Sequence, residues 1–452
     1  LIPDAVTFIC VLKACGQIGA LEKGGEIHDE VLDRGMLEKD IVLGNALVDM
    51  YVKCGLLAKA QRVLQELPVR DVVSWNTLIV AYAHLGEGRE ALTCFDQMQR
   101  EGLSPDTVTF PSILKACGIV GAIDKGKQIH LDIMHKGFLN KDAALGNALV
   151  DMYAKCNMFG EAWKLLEELP CQNIVAWNAL ISGYVEQGQG EKALDVYGQM
   201  RNNGMFVLDD ITLVCVLQAC AKTGNLELSR ELHFTTTYSS YSLSCYLASA
   251  LVYAYGSCAS SMDVKPILDG LIEPDLVTWN ACVASYAGEG NLIITLQMAQ
   301  EMQLSGSNPD EVTFVSLISA SSHAGLIYQG LEFFESMGRD YCVTPDLKHY
   351  GTILDLLGRA GDFPKLQCVV RILPSQTDLA TWLCLLGACR IHGNVELAKL
   401  AFDSAVRLQP KEAAPYILMS KIYIDSGLPH LAEEVDKLRP QCCKETSWLE
   451  SD

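Results

Sequence analysis

The sequence predicts an all-α fold, a right-handed superhelical α-solenoid of stacked helix-turn-helix repeats. A Trp-Asn pair recurs every 102 residues, at Trp75-Asn76, Trp177-Asn178 and Trp279-Asn280. Cysteines keep the same spacing, at Cys54, Cys156 and Cys258. The string LGNALVDMY occurs at 43–51 and again at 145–153. Each period divides into three related units, and a unit of about 35 residues with two apolar stripes must stack on its neighbours to bury them.

The spacing of apolar residues marks two helices in each unit. In the unit 72–106, Leu78, Ile79 and Tyr82 share one face of a first helix. Gly86 and Gly88 then break the pattern. A second helix follows, with apolar residues at Ala91, Leu92, Phe95 and Met98. A helical hairpin is therefore the expected structure of every unit.

The repeat array is expected to fill residues 5–378. The first period contains the units 5–40, 41–71 and 72–106, and residues 1–4 look like the tail of a preceding repeat. The third period, 210–310, is degraded, because the segment 234–244 is rich in poor helix formers and Pro266 falls where a second helix should run. We expect loose packing there, with a hinge or local disorder.

Composition limits the possible functions. Half of the 452 residues are apolar, yet no apolar run approaches the ~18 residues needed to span a bilayer, so a membrane role is not expected. The 18 cysteines include several at matching places of the repeat, which indicates small buried thiols in a reducing compartment. The formal net charge of -20 argues against generalised polyanion binding, which depends on Lys and Arg.

Three strings resemble the pentatricopeptide repeat family, in its subclass of ordinary (P), long (L) and short (S) units. They are VVSWNTLIVAYAHLGEGREALTCFDQMQREGLSPD from Val72 for a P unit, VTFPSILKACGIVGAIDKGKQIH from Val108 for an L unit, and GNALVDMYAKC from Gly146 for an S unit. The resemblance covers nearly the whole chain. Tetratricopeptide repeats share the hairpin, but their constant unit of about 34 residues does not match units of 36, 31 and 35.

The segment 379–452 resembles the E motifs and the C-terminal junction of plant organelle RNA-editing factors. The strings 381–402 and 415–428 resemble the two E motifs, and CCKETSWLE at 442–450 resembles the junction to a DYW deaminase domain. Since the zinc-deaminase signature of His-x-Glu and Pro-Cys-x-x-Cys does not follow, we expect no enzyme, metal or cofactor here. His28-Asp29-Glu30 spells His-x-Glu, but helix packing is the preferred interpretation, and Cys442-Cys443 is interpreted as an ordinary loop.

The resemblance implies that each P and S unit reads one RNA base through its fifth and last residues. An Asn amide offers a donor and an acceptor to a pyrimidine, and the terminal Asp orients it by a hydrogen bond across the seam between repeats. Helix capping by Asn and Asp is the alternative. The P-unit pairs are Asn76/Asp106, Asn178/Asp209 and Asn280/Asp310, and the S-unit pairs are Asn45/Asp71, Asn147/Asn173 and Ser249/Asp275.

The implied RNA site is N-U-U-N-Y-U-N-G-U-N-N from 5′ to 3′, starting at the unit 5–40. The L units present Ile9, Pro111, Val214 and Val315 at the fifth position, and these side chains space the bases without reading them. The second position would pack against base faces, with burial between helices as the competing role, at Val42, Val73, Val175 and Val277. Phosphate contacts, or simple solvated cations, are expected at Lys53, Lys155 and Arg359.

The leading hypothesis is sequence-specific binding of single-stranded RNA in a mitochondrion or chloroplast. The E-like region would recruit a deaminase-domain protein in trans for C-to-U editing, so that the enzyme is a partner. One alternative is an RNA stabilisation or processing factor, which the E-like motifs disfavour. Another is a tetratricopeptide-like protein-protein scaffold, which the acidity favours and the recurrent Asn/Asp pairs disfavour.

Overall fold

The computed structural model of the protein describes residues 3–38, 40–139, 142–169, 173–202, 208–238, 243–374 and 377–440. These residues form 26 α-helices and one 3₁₀ helix, and no strand occurs among them. The predicted all-α class is therefore confirmed. The chain consists of two compact units, Leu1–Ala219 and Cys220–Asp452, and the boundary falls inside helix α13 (Asp210–Thr223).

The first unit contains six helical hairpins. Its helices are α1 (Ala5–Ile18), α2 (Leu21–Asp33), α3 (Ile41–Lys53), α4 (Leu57–Glu66), α5 (Val72–His84), α6 (Gly88–Arg100), α7 (Thr109–Val120), α8 (Ile123–His135), α9 (Ala143–Lys155), α10 (Phe159–Glu168), α11 (Ile174–Glu186) and α12 (Gly190–Asn202). The two helices of each hairpin pack together, and the first helices α1, α3, α5, α7, α9 and α11 pack each against the next. Stacking of hairpins thus buries the apolar stripes, as the repeat pattern predicts.

The second unit continues with the same kind of hairpin. Its helices are α14 (Leu226–Tyr238), α15 (Cys245–Ser257), α16 (Val264–Asp269), α17 (Leu276–Gly288), α18 (Leu292–Leu304), α19 (Glu311–Ala324), α20 (Ile327–Tyr341), α21 (Leu347–Ala360), α22 (Phe363–Ile372), α23 (Leu379–His392), α24 (Val395–Leu408), α25 (Ala414–Asp425) and α26 (Pro429–Leu438). First helices α15, α17, α19, α21, α23 and α25 stack in series. One apolar cluster runs from Ile318 to Val435, so the E-like segment shares a core with the repeats before it.

Acidic residues start most first helices. Asp71 caps α5, where its side chain accepts the backbone N–H of Ser74 while the Ser74 hydroxyl accepts the backbone N–H of Asp71, a reciprocal capping box. Asp310 and Asp346 form the same box at α19 and α21. Gly86, with φ +81°, then turns the chain between α5 and α6. Gly88, predicted to break a helix, is instead the first residue of α6.

Small residues let successive first helices approach closely. A Cβ atom added to Gly183 of α11 would lie 2.6 Å from the Cβ of Ala154 in α9. Gly16 of α1 lies against the Cα of Met50 in α3 in the same way, with 3.3 Å to an added Cβ. These contacts set the spacing of the first helices, and this spacing brings side chains of adjacent repeats within hydrogen-bonding distance.

The degraded third period keeps a buried apolar side at Pro266, although the helix that contains it, α16, has only six residues. Helix α14 runs through the segment with poor helix formers as far as Tyr238, and residues 239–242 lie outside the described part of the chain. Pro266 is the third residue of α16, where a missing backbone N–H costs no helical hydrogen bond. Val264, Ile267 and Leu268 beside it are at most 4% exposed, so the prediction of loose packing at Pro266 is wrong.

Among the described residues, no helix is both long enough and apolar enough to cross a bilayer.

Candidate nucleic-acid interface

The fifth residue of one unit and the first capped turn of the next meet in a polar set. In the best-preserved P unit, the Asn76 Nδ2 group donates to Asp106 Oδ1 at 3.0 Å. The Thr109 hydroxyl lies 2.7 Å from Asn76 Oδ1 and 2.8 Å from Asp106 Oδ1. We call such an Asn, together with the Asp that ends its unit and the hydroxyl of the next unit, the interrepeat polar set. The hydrogen bond across the seam that the resemblance implies is present.

The chemistry of the partners fixes the amide of Asn76. A carboxylate only accepts hydrogen bonds, so the amide nitrogen must face Asp106 and the amide oxygen must face Thr109. Burial raises the pKa of Asp106, but hydrogen bonds from Thr109 and Asn76 outweigh burial and hold the pKa below its usual value. Asp106 is therefore ionised at neutral pH. One hydrogen of Nδ2 and one lone pair of Oδ1 remain for a ligand.

Three other units repeat the interrepeat polar set. From Asn Nδ2 to the Asp carboxylate, the distances are 3.2 Å for Asn45–Asp71, 3.2 Å for Asn178–Asp209, and 3.0 and 2.9 Å for the two carboxylate oxygens of Asp310 from Asn280. The hydroxyls lie 2.5, 2.7 and 2.6 Å from the Asn oxygens and belong to Ser74, Thr212 and Thr313. These hydroxyls were not predicted from the sequence, although Ser or Thr recurs three residues after each of these Asp residues.

Two predicted pairs depart from this geometry. Asn173 accepts the backbone N–H of Ala176 at 3.0 Å, and the buried Oδ1 of Asn147 has no hydrogen-bond partner. Ala176 stands where the other units have a hydroxyl, which explains the unpaired oxygen. In the third S unit, Ser249 donates to the Tyr246 carbonyl of its own helix at 2.9 Å. Within the described residues, no hydrogen bond joins Ser249 to Asp275.

Helix capping accounts for the terminal residues of the units but not for the asparagines at the fifth position. Asp71, Asn173, Asp275 and Asp310 are the N-caps of α5, α11, α17 and α19. Asn76, by contrast, is the fifth residue of α5, one turn inside the helix. The capping interpretation is therefore wrong for the asparagines. Asn76, Asn178 and Asn280 are only 6–8% exposed, so a base would reach the edge of each amide rather than its whole surface.

The apolar residues at the second position are exposed on the same helices. Val42, Val73, Val175 and Val277 are 54–62% exposed, so burial between helices, the competing role, is wrong. Val73 lies three residues before Asn76, and residues at this spacing share a helix face. The L units present the same position at Val6, Val108, Ile211 and Val312, which are 51–66% exposed. These four were missed, although their alignment at the second position would have identified them.

The L units carry no amide at the fifth position. Ile9, Pro111 and Val315 are partly exposed there, while Val214 is 3% exposed. None of these side chains donates or accepts a hydrogen bond.

Each cation predicted to contact phosphate already has an acidic partner one turn earlier in its helix. Lys53 Nζ lies 2.7 Å from Asp49, Lys155 Nζ 2.9 Å from Asp151, and Arg359 Nε 2.9 Å from Asp355. The aliphatic stem of Lys53 also packs against Gly16. A phosphate would have to share these cations with aspartate, so their role stays a prediction.

The groups considered for catalysis have other environments. His28 is buried and its Nδ1 lies 3.0 Å from the Tyr51 hydroxyl, which is the helix-packing role predicted for it. Among the described residues, no group of three or more His, Cys, Asp or Glu side chains could hold a metal ion. Cys442 and Cys443 lie outside those residues.

The stacked hairpins define a helical-repeat protein, and four of its described repeats carry the same polar contact at equivalent positions. A model described as the PPR repeat family matches residues 70–118 and 172–222. A second model, described as PPR repeat, matches residues 45–72, 147–174 and 312–342. Together these matches include most of the P- and S-type strings on which the resemblance rests.

Two relatives are similar to this chain over most of their own length. A mitochondrial pentatricopeptide repeat-containing protein of Arabidopsis thaliana is 32% identical, over 94% of this chain and 76% of its own length. The chloroplastic protein CRR2 of the same plant is 33% identical, over 96% of this chain and 67% of its own. The chain therefore belongs to the pentatricopeptide repeat family, and the tetratricopeptide interpretation is wrong.

Other similar proteins are longer than this chain. It spans about half the length of two further Arabidopsis thaliana relatives, 50% and 52%, at 35% and 33% identity. Among solved structures, the fold resembles the pentatricopeptide repeat protein PPR10 from maize, with a TM-score of 0.63 at 21% identity over 97% of this chain and 70% of the other. PPR10 has also been solved in complex with an 18-nt psaJ RNA element. Several relatives are mitochondrial or chloroplastic proteins, in agreement with the organelle predicted here.

Proposed function

We propose that this chain binds single-stranded RNA in a sequence-specific manner in a mitochondrion or chloroplast. The observation that carries the proposal is the interrepeat polar set, which recurs with nearly the same distances around Asn45, Asn76, Asn178 and Asn280. A single such contact would be an ordinary structural hydrogen bond. Four copies at equivalent positions of the repeat, each with an unused donor and acceptor on the amide, suit a polymer whose bases are contacted by successive repeats.

The exposed second-position residues supply the other half of a base site. Val73 is 57% exposed and lies one turn before Asn76 on the same helix. An apolar wall can contact the face of a base while the amide bonds to its edge, and neither interaction needs a positive charge. RNA binding is thus compatible with an acidic chain. The PPR10 complex with RNA is consistent with this role for a protein of similar fold.

The finer assignment concerns editing. We propose that the chain belongs to the subclass with P, L and S units, and that residues 379–452 recruit a deaminase in trans for C-to-U conversion. The support is the resemblance of 381–402 and 415–428 to E motifs, and these strings form the helical pairs α23–α24 and α25–α26. A stabilisation factor is the alternative. Plants lacking the protein would lose C-to-U conversion under the first assignment and transcript ends under the second.

The direct test of base reading is Asn76→Thr. The resemblance associates Thr followed by Asp with guanine, so the preference at the third nucleotide should move from U to G. Side-chain contacts to a base discriminate by ~1–3 kcal/mol, so binding to the original RNA should weaken about five- to 150-fold. An RNA with G at that nucleotide should restore most of the loss. Fluorescence titration of wild type and variant against both RNAs measures this.

The internal control is the sixth nucleotide, which Asn178 would read. Changing that U to G should weaken wild type and Asn76→Thr by the same factor. If Asn76 only supports Asp106 and Thr109, the variant will bind every RNA less tightly and keep the wild-type U-over-G ratio. That result, with the helical circular-dichroism signal intact, rules out base reading by this unit.

A further inference from the structure

The hydroxyl of the interrepeat polar set contacts the amide oxygen of the Asn as well as the Asp at the start of its own helix. Ser74, Thr109, Thr212 and Thr313 each lie at the third residue of a unit, and each reaches back to the Asn of the preceding unit. All four of these hydroxyl residues are completely buried. Their environment is therefore fixed by the fold.

The hydrogen bonds leave two acceptors for the single proton of this hydroxyl. The backbone N–H of Asp106 donates to Thr109 Oγ1 at 3.2 Å, so one lone pair of the hydroxyl is occupied. Its single proton can then bond to Asn76 Oδ1 or to Asp106 Oδ1. In the flipped amide, Oδ1 would face the carboxylate, where two acceptors meet. The hydroxyl could accept from Nδ2 but would lose Asn76 Oδ1 as an acceptor for its proton. Asp106 therefore sets the orientation of Asn76, and the hydrogen bond that Thr109 donates to Oδ1 supports it.

The orientation of the amide matters because its oxygen accepts hydrogen bonds and its nitrogen donates them. Uracil and cytosine likewise differ in which edge atoms donate and which accept. At positions 3 and 4 of the ring, uracil offers an N–H donor and a carbonyl acceptor, whereas cytosine offers a ring-nitrogen acceptor and an amino donor. An amide in one orientation pairs with uracil there, and the flipped amide pairs with cytosine. A fixed amide distinguishes the two pyrimidines, and an amide free to flip accepts both.

We propose that the third-position hydroxyl is a positioning residue for pyrimidine specificity, acting through the Asn of the preceding unit. The proposal rests on the RNA-binding function above and extends it to a residue outside the fifth and last positions. Where the hydroxyl is present, the Asn amide is held in one orientation and the unit prefers one pyrimidine, which the resemblance implies is uracil. Where it is absent, the unit reads cytosine and uracil more equally.

The chain contains a matched pair of units that differ at this residue. Asn45 and Asn147 occupy the same place in two copies of the string LGNALVDMY. Asn45 Oδ1 accepts from Ser74 at 2.5 Å, whereas Asn147 Oδ1 is buried without a partner and the matching residue is Ala176. The last residues of the two units also differ, since one unit ends in Asp71 and the other in Asn173. Only substitution of the third residue alone separates the effect of the hydroxyl from that of the last residue.

The experiment measures the U-over-C affinity ratio with RNAs that differ at one nucleotide. Thr109→Val removes the hydroxyl and keeps the shape, and the ratio at the third nucleotide should fall about two- to twelve-fold, the range for one net hydrogen bond. Thr109→Ser should restore it. Ala176→Ser should raise the ratio at the fifth nucleotide by a similar factor. Thr93→Val is the matched control, since Thr93 is exposed on α6 and donates to the Arg89 carbonyl of its own helix.

The results separate this inference from the proposed function. If wild type fails to distinguish U from G at the third nucleotide, the RNA-reading function fails, and the positioning role fails with it. If wild type reads U but Thr109→Val weakens U- and C-containing RNAs equally, the hydroxyl only caps α7 and the positioning role alone is overturned. The positioning role is supported if Thr109→Val lowers the U-over-C affinity ratio, Thr109→Ser restores it, and the melting temperature of both variants is unchanged.

Discussion

At the scale of single residues, an asparagine amide has two orientations of nearly the same shape, so its neighbours decide what it offers to a ligand. The periodic Asn and Asp positions were found from the sequence, because spacing alone reveals them. The partner hydroxyl of Thr109 was not, since a Ser or Thr three residues after Asp predicts a capping box and nothing more. Its contact with Asn76 depends on how closely two hairpins stack.

The basic residues have acidic partners that the sequence analysis did not consider. Lys53 was predicted to contact phosphate from its recurrence at one position of the S units, yet Asp49 precedes it by four residues on the same helix. This spacing favours an intrahelical ion pair, and the same pair forms between Asp151 and Lys155. The pairing could have been predicted from the sequence, whereas the packing of the Lys53 stem against Gly16 could not.

Buried histidines predict a pH dependence of stability. Burial lowers the pKa of His28, His130 and His233, which lie 2.9–3.0 Å from the hydroxyls of Tyr51, Tyr153 and Tyr255. The unfolded chain therefore binds protons more readily between the lowered pKa values and about 6.5. Stability is complete above about pH 6.5 and falls as the pH drops through this window, by up to about 1.4 kcal/mol per pH unit for each histidine.

The measurement is the melting temperature between pH 7.5 and 5.5, in wild type and in His28→Gln/His130→Gln/His233→Gln. Wild type should melt at lower temperature as the pH falls, and the glutamine variant should show a smaller change because glutamine does not titrate. Aspartates with lowered pKa, such as Asp106, contribute their loss only below about pH 4 and do not interfere. Equal slopes for the two proteins would contradict the assignment to these histidines.

At the scale of helices, the apolar spacing and the acidic caps predicted most of the fold. α3, α5 and α11 begin at the first residue of their predicted units. α7 begins at Thr109 and not at Thr107, because Asp106 accepts the backbone N–H groups of both Val108 and Thr109 and leaves a turn before the helix. The burial of the apolar residues of α16 was also unpredictable, because packing against neighbouring helices decides it and local propensity does not.

Close stacking of first helices makes a sharp stability prediction. Gly183→Ala would place a Cβ 2.6 Å from the Cβ of Ala154 and 3.4 Å from its backbone, so the helices must shift apart. We expect a loss of about 1–3 kcal/mol in the free energy of unfolding, as for other overpacked contacts. Urea denaturation followed by circular dichroism measures it.

The matched control is Gly198→Ala. Gly198 is inside α12, and an added Cβ there has no atom within 4 Å, so alanine should stabilise the helix by about 0.5–1 kcal/mol. Opposite signs for the two substitutions would support packing as the cause. If both substitutions stabilise the protein, α9 and α11 can accommodate an added Cβ, and the prediction of overpacking is wrong.

At the scale of the whole molecule, the net negative charge of the protein opposes the binding of RNA, which is also negatively charged. The formal net charge is -20, and the three cations predicted to face phosphate are each paired with aspartate. Binding would then depend on hydrogen bonds and on apolar contact with bases more than on charge neutralisation. This balance is the reverse of that in proteins that bind nucleic acid without sequence preference.

A shallow salt dependence is the expected result. With roughly two to four cations contacting a single strand, and a slope of about -0.7 for each phosphate neutralised, the plot of log affinity against log salt should have a slope of about -1 to -3. Titration of RNA binding from low to moderate salt measures it. A slope steeper than about -5 would show that more cations are engaged than the ion pairs of the free protein suggest.

Because each interrepeat polar set takes its asparagine from one first helix and its hydroxyl from the next, the exchangeable cassette of this protein is not the repeat. A chimera joined directly after Asp106, at the end of a repeat, would give Asn76 an unfamiliar hydroxyl from the incoming sequence. Joining within α6 would replace both the acid and the hydroxyl, whereas joining within α8 of the following L unit keeps the three side chains together. Recombination between paralogues, in evolution or by design, should transmit a recognised nucleotide intact only when its crossovers avoid the span from the asparagine to the hydroxyl.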